Sequence, residues 1–178
     1  FNSYKSMPIN KIKSITIIVL SIIFISNISF ANETLKSIGK FKDWETFTML
    51  ENENKVCFAQ SIPVLQAPKN NPRASRLFVT FRKDEKIQDE VSVTAGYIFN
   101  KKNKIKAKSG KNTYIFSTVQ ENFAWFQQNK TEKKLIKILK KGSRLMVTGY
   151  NKEGSQTIDH YSLLGFTKAY NTAKKSCS

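Results

Sequence analysis

Apolar and polar positions along most of this 178-residue chain alternate over short stretches, the period at which a β-strand turns one face toward a core. Residues 76–82 and 90–99 combine β-branched with aromatic side chains, and Val91, Val93, Ala95 and Tyr97 fall on one face of the second stretch. Residues 41–50 form an earlier run. A polar turn, Glu51-Asn52-Glu53-Asn54, joins it to the apolar run around Cys57, which predicts a hairpin. Further short strands are expected around Ile105 and at 113–118, 123–127, 144–150 and 156–161, with Gly110-Lys111-Asn112 and residues 151–154 as turns. The stretch bearing Pro63, Pro68 and Pro72 reads as a long surface loop.

Two segments follow a different period. Residues 131–142 place Leu135, Ile136, Ile138 and Leu139 at helical spacing, with Thr131 as the expected N-cap and Gly142 as the stop. The five lysines of this segment, Lys133, Lys134, Lys137, Lys140 and Lys141, read as the solvated face of a helix packed on a sheet; a membrane-surface helix is the competing reading. A second helix is expected over residues 163–175, with Ser162 as its cap. Leu163, Phe166, Tyr170, Ala173 and Cys177 recur there at intervals of three and four. The whole pattern predicts a mainly β fold, an antiparallel β-sandwich or barrel-like domain with two helices.

Two cysteines allow one intramolecular pairing. Cys57 lies on an early strand and Cys177 on the inward stripe of the last helix, so a bridge between them would tether that helix across most of the chain. The bridge also requires an oxidising compartment, and the first residues supply the address. Lys11 and Lys13 precede an Ile-rich apolar run at 15–28, which ends in Ser29-Phe30-Ala31. A cationic start, a short apolar centre and small residues at the −3 and −1 positions describe a secretory signal peptide cleaved after Ala31, with Met7 as the start and residues 1–6 upstream of it. An uncleaved anchor over 14–31 is the alternative. Asn27 and three serines, Ser21, Ser26 and Ser29, interrupt that stretch from residue 21 onward, and the small-x-small ending would serve an anchor no purpose. Residues 32–178 then form a single domain with no membrane span.

Charge changes the picture less than its size suggests. The formal net charge is +17, and cleavage removes Lys5, Lys11 and Lys13 without an acid, leaving +14. Of the 30 basic residues only Arg73, Arg76, Arg82 and Arg144 are arginine. Bidentate phosphate recognition and base reading lean on arginine, so no specific nucleic-acid partner is expected. One histidine and two cysteines cannot supply a His/Cys zinc site, the glycines form no phosphate-binding loop, and neither a cofactor nor a metal is expected.

Several motifs, taken in order, resemble the invasion-associated locus B family of exported bacterial proteins. They are Trp44, the Lys55-Val56-Cys57-Phe58-Ala59 run, the Glu90 to Tyr97 block, Ala124-Trp125, the Met146 to Gly149 block, and Tyr161 to Ala169 followed by Cys177. The resemblance covers nearly all of residues 44–177. It implies export, association with the periplasm or outer envelope and, at family level, a link to host-cell entry in some pathogens. It brings no catalytic residues that could be carried onto positions here. The 151–154 turn lacks the arginine often found before its glycine, and the extra cysteine that some members carry near the early tryptophan is absent.

Asp159, His160 and Ser162 have the residue types of a serine hydrolase. Adjacent strand residues point to opposite faces, however, and no GxSxG elbow is present, so no catalytic site is expected. The remaining signal is a lysine-rich stretch, Lys101, Lys102, Lys104, Lys106, Lys108 and Lys111. Alternation places Lys104, Lys106 and Lys108 on one strand face, which could meet anionic lipid or acidic polysaccharide. The reading that follows is a non-enzymatic envelope protein acting by binding or support, with a polyanion-binding module on that face as the alternative.

Overall fold

The computed structural model describes residues 34–126 and 129–178. The segment expected to be a signal peptide, including Ser29 and Ala31, lies outside them.

Twelve strands and two helices make up these residues. Strands β1 (Lys36–Phe41), β2 (Trp44–Glu51), β3 (Asn54–Ser61), β5 (Arg76–Arg82), β6 (Ile87–Thr94), β10 (Phe123–Trp125) and β9 (Thr118–Gln120) form a seven-stranded sheet in that spatial order. The five-stranded sheet runs β4 (Leu65–Ala67), β12 (Gln156–Ser162), β11 (Arg144–Tyr150), β7 (Lys106–Ser109) and β8 (Asn112–Ile115). Every pairing is antiparallel. The mainly β expectation therefore holds, with α1 (Asn129–Leu139) and α2 (Phe166–Ser176) as the two helices.

Local differences from the sequence pattern have physical reasons. The run at 41–50 is broken at Lys42, whose φ of 55° reverses the chain, so β1 and β2 are separate strands of a hairpin. The β2–β3 hairpin closes as expected through Asn52 and Glu53, both with positive φ. The proline-bearing loop contributes one short strand, β4, to the edge of the second sheet. The stretch at 90–99 starts earlier, at Ile87, and ends at Thr94. Gly96 then turns with a φ of 73°, and a Cβ there would lie 2.8 Å from the Ala74 nitrogen. The 113–118 expectation resolves into β8 and β9.

Both helices differ from expectation at their starts. Helix α1 begins at Asn129, which puts Thr131 inside the helix instead of at its cap. Helix α2 begins at Phe166 with Gly165 at the N-cap, and no side chain caps it. Ser162 Oγ instead accepts a hydrogen bond from the Leu164 N–H, shaping the approach to the helix. Gly165 has a φ of 91°, and a Cβ there would collide with the Phe41 carbonyl oxygen. The chain passes too close to β1 for any side chain at this position.

Helix α2 packs on the inner face of the seven-stranded sheet. Phe166 meets Trp44 edge to face at 4.9 Å between centroids, Tyr170 meets Phe81 at 5.4 Å, and Thr46 donates to the Ala169 carbonyl. Trp44 Nε1 donates to the Ser162 carbonyl, linking the first sheet to the end of β12. Leu77, Val79, Val91, Leu145 and Tyr161 are fully buried in the same core. Cys57 and Cys177 are bonded, with Cα atoms 5.8 Å apart and 120 residues between them. The expected bridge is present and tethers the C-terminal helix to β3.

Candidate functional site

Alternation on β7 places the lysines where the sequence put them. Lys104, Lys106 and Lys108 are exposed, while Ile105 and Ala107 between them and Ser109 after them are buried. Strand register extends this face: Lys108 pairs with Met146, which pairs with His160, which pairs with Leu65, so these side chains share the outer surface of the five-stranded sheet. Arg144, two residues before Met146, projects to the same side. Lys101 and Lys102 are exposed in the turn before β7, and Lys111 is exposed in the β7–β8 turn.

The structure adds a feature that the spacing did not reveal. A cleft of about 710 Å³ opens between the β7–β8 turn and the C-terminal end of α1, lined by Ser109, Gly110, Asn112, Lys137, Lys141 and Arg144 among others. Two lysine-rich segments that lie apart in sequence thus meet at one place. The only forewarning was that residues 133–150 hold six cations and no acid.

Asp159 and His160 point to opposite faces, as a strand requires. Asp159 faces inward and pairs with Arg73, both side chains being only 4% exposed. Gln66 braces the pair: its Nε2 donates to Asp159 Oδ1 at 3.0 Å and its Oε1 accepts from the Arg73 N–H at 3.1 Å. Arg73 also donates to the carbonyls of Asn71 and Ala67. The carboxylate is therefore committed to a guanidinium and is turned away from the His160 ring. A shallow cleft of about 380 Å³ opens beside Arg73, between Asn71 and Ala74 and the turn at Asn151 to Glu153. Above it Tyr97 shares a hydrogen bond with Thr157, and burial raises the Tyr97 phenol above its ordinary range.

A second buried polar group escaped sequence reasoning. Glu132 lies on the apolar stripe of α1 with Leu135, Ile136 and Leu139, and accepts the Val91 N–H of β6 at 3.0 Å. Burial pushes its carboxyl up to about 7. The Val91 hydrogen bond opposes that shift, and the nearby Glu90 and Asp89 add to it. Its signal was legible in retrospect: it is the one acid in a lysine-rich helix, and it falls at apolar spacing. Beside it Tyr170 of α2 donates to Asp89, and Lys140, just past the end of α1, lies 3.9 Å from the centre of the Tyr170 ring. Burial first, then the Asp89 contact, pushes the Tyr170 phenol upward. Among the described residues no group of three His, Cys, Asp or Glu side chains could hold a metal ion.

These features define a disulfide-closed, two-sheet β protein with lysines exposed on the face of its five-stranded sheet and two helices that each bury one side in the core. The chain belongs to the invasion associated locus B (IalB) family, whose model matches residues 44–174. Among solved structures, invasion associated protein B from Bartonella henselae is similar in fold, with a TM-score of 0.56 at 15% identity, covering 79% of this chain and 95% of that one. A search of curated proteins found no match.

Proposed function

We propose that the protein is exported and works in the cell envelope by binding or by supporting the envelope, without catalysing a reaction. The Cys57–Cys177 bridge supports the export in this reading, because it joins the two ends of a 120-residue span and such bridges form and persist chiefly where thiols are kept oxidised. Among the described residues no helix is long and apolar enough to cross a membrane. Mass spectrometry of the protein recovered from cells, with and without reduction, tests the reading. A chain beginning at Asn32 with no free thiol is expected. Retention of residues 7–31 together with two free thiols would overturn export.

The second reading is an adhesion or polyanion-binding module using Lys101, Lys102, Lys104, Lys106, Lys108 and Lys111. The exposed row of Lys104, just before β7, and Lys106 and Lys108 on it favours this reading: three ammonium groups project from one side without ion-pair partners, since the ion pairs among the described residues belong to Arg73 and Arg82. Retention on an anionic-lipid and a heparin-like matrix against rising salt is the measurement. Unchanged retention after Lys101, Lys102 and Lys104 become Gln would remove that face from consideration.

A further inference from the structure

We propose that the cleft between the β7–β8 turn and the C-terminal end of α1 is a binding groove for a linear acidic polysaccharide, with Lys137, Lys141 and Arg144 gripping its anionic groups. The proposal rests on the polyanion-binding reading and extends it to residues outside the 101–111 stretch.

Charge is the first argument. Lys137 stands on the last turn of α1 and Lys141 in the turn just past its end, and Arg144 follows on the outward side of β11, so three cations border one recess. The lining residues include no acid, and residues 100–120 and 133–150 contain none either. The helix dipole accounts for cations in the last turn of α1. It does not account for Arg144 on the adjoining strand, nor for Lys106 and Lys108, which continue the cationic track along β7 on the same sheet face as Arg144, with Lys104 exposed just before that strand. Like charges gathered without counter-charges repel one another, and an anionic ligand relieves that repulsion.

Shape and chemistry select among polyanions. The track runs along a strand and then into a recess between a hairpin turn and a helix, a path that a flexible chain can follow and a flat lipid leaflet cannot enter. Stacked bases require aromatic platforms, and no aromatic side chain lines the cleft. Ser109, Asn112 and Ser143 line it instead, groups suited to the hydroxyls of sugars. Arg144 supplies a planar fork for a carboxylate, sulfate or phosphate substituent, and the two lysines act as point charges.

The test uses the exported protein with three probes: heparin fragments of graded length, phosphatidylglycerol vesicles, and single-stranded DNA of matched charge. Lys137→Gln, Lys141→Gln and Arg144→Gln combined should weaken binding of the longer heparin fragments about tenfold. The same variant should reduce the dependence of log affinity on log salt by about 2. All three positions are exposed, and an unchanged thermal midpoint serves as the folding control. If the triple variant binds heparin as the wild type does while Lys104→Gln, Lys106→Gln and Lys108→Gln combined lose binding, the cleft is excluded and the strand face stands. If the wild type binds no heparin fragment, both readings fall. Tighter, variant-sensitive binding to vesicles or to DNA would overturn the polysaccharide assignment in favour of that ligand.

Discussion

The carboxylate of Glu132 on α1 accepts the backbone N–H of Val91 on β6, so a titratable group forms a buried joint between the first helix and the seven-stranded sheet. Its pKa is raised to about 7, chiefly by burial, so the folded state binds a proton there more tightly than the unfolded chain does. This contribution to stability is full below the unfolded value near 4.5 and is lost as pH rises through 7. The loss amounts to roughly 2 kcal/mol after allowance for solvent screening. Urea titrations from pH 5 to 8 should show that decline, and Glu132→Gln should flatten it.

Gly165→Ala should destabilise the protein by at least about 2 kcal/mol, because the residue holds a left-handed φ and its Cβ would meet the Phe41 carbonyl oxygen. The backbone of β1 or the start of α2 would have to move. A lowered thermal midpoint with the disulfide intact is the expected outcome, and an unchanged midpoint would refute the close approach.

Asp159→Asn should cost about 3–5 kcal/mol by leaving the Arg73 guanidinium buried without its counter-charge. Replacing both residues by leucine should cost less than that single change, since two desolvated charges are then removed together. Denaturant midpoints of the two variants, compared at one pH, decide the point.

Cys57→Ser with Cys177→Ser should lower stability by up to about 5 kcal/mol, the chain-entropy limit for a loop of this length. Helix α2 keeps its contacts with Trp44 and Phe81, so the helix should fray from the C-terminal end first. Limited proteolysis that cuts the variant after Lys174 or Lys175 and leaves the oxidised parent intact would bear this out.

The sequence made the candidate site half legible. The alternation from Lys104 to Ser109 correctly separated outward lysines from inward Ile105 and Ala107, because a strand's period of two is local and needs no partner to be read. The cleft was not legible in the same way. Lys137 and Lys141 looked like an ordinary solvated helix face until the return of β11 beside β7 set Arg144 and the β7–β8 turn next to them. Glu132 and Arg73 were missed for a similar reason, since each is a charged residue whose partner sits on another element.

Sequence alone determined the strand rhythm, the inward stripe of α2 and the identity of the only cysteine pair, because periodicity and composition act over neighbouring residues. Tertiary structure decided which faces meet. The neighbours β4 with β12 and β11 with β7 are far apart in the chain, and their pairing sets both the committed Asp159 and the cationic cleft. The glycine at 165 belongs to the same class: its necessity comes from the passage of Phe41, not from the helix it precedes. Local patterns give each residue a face, and long-range packing supplies what that face encounters.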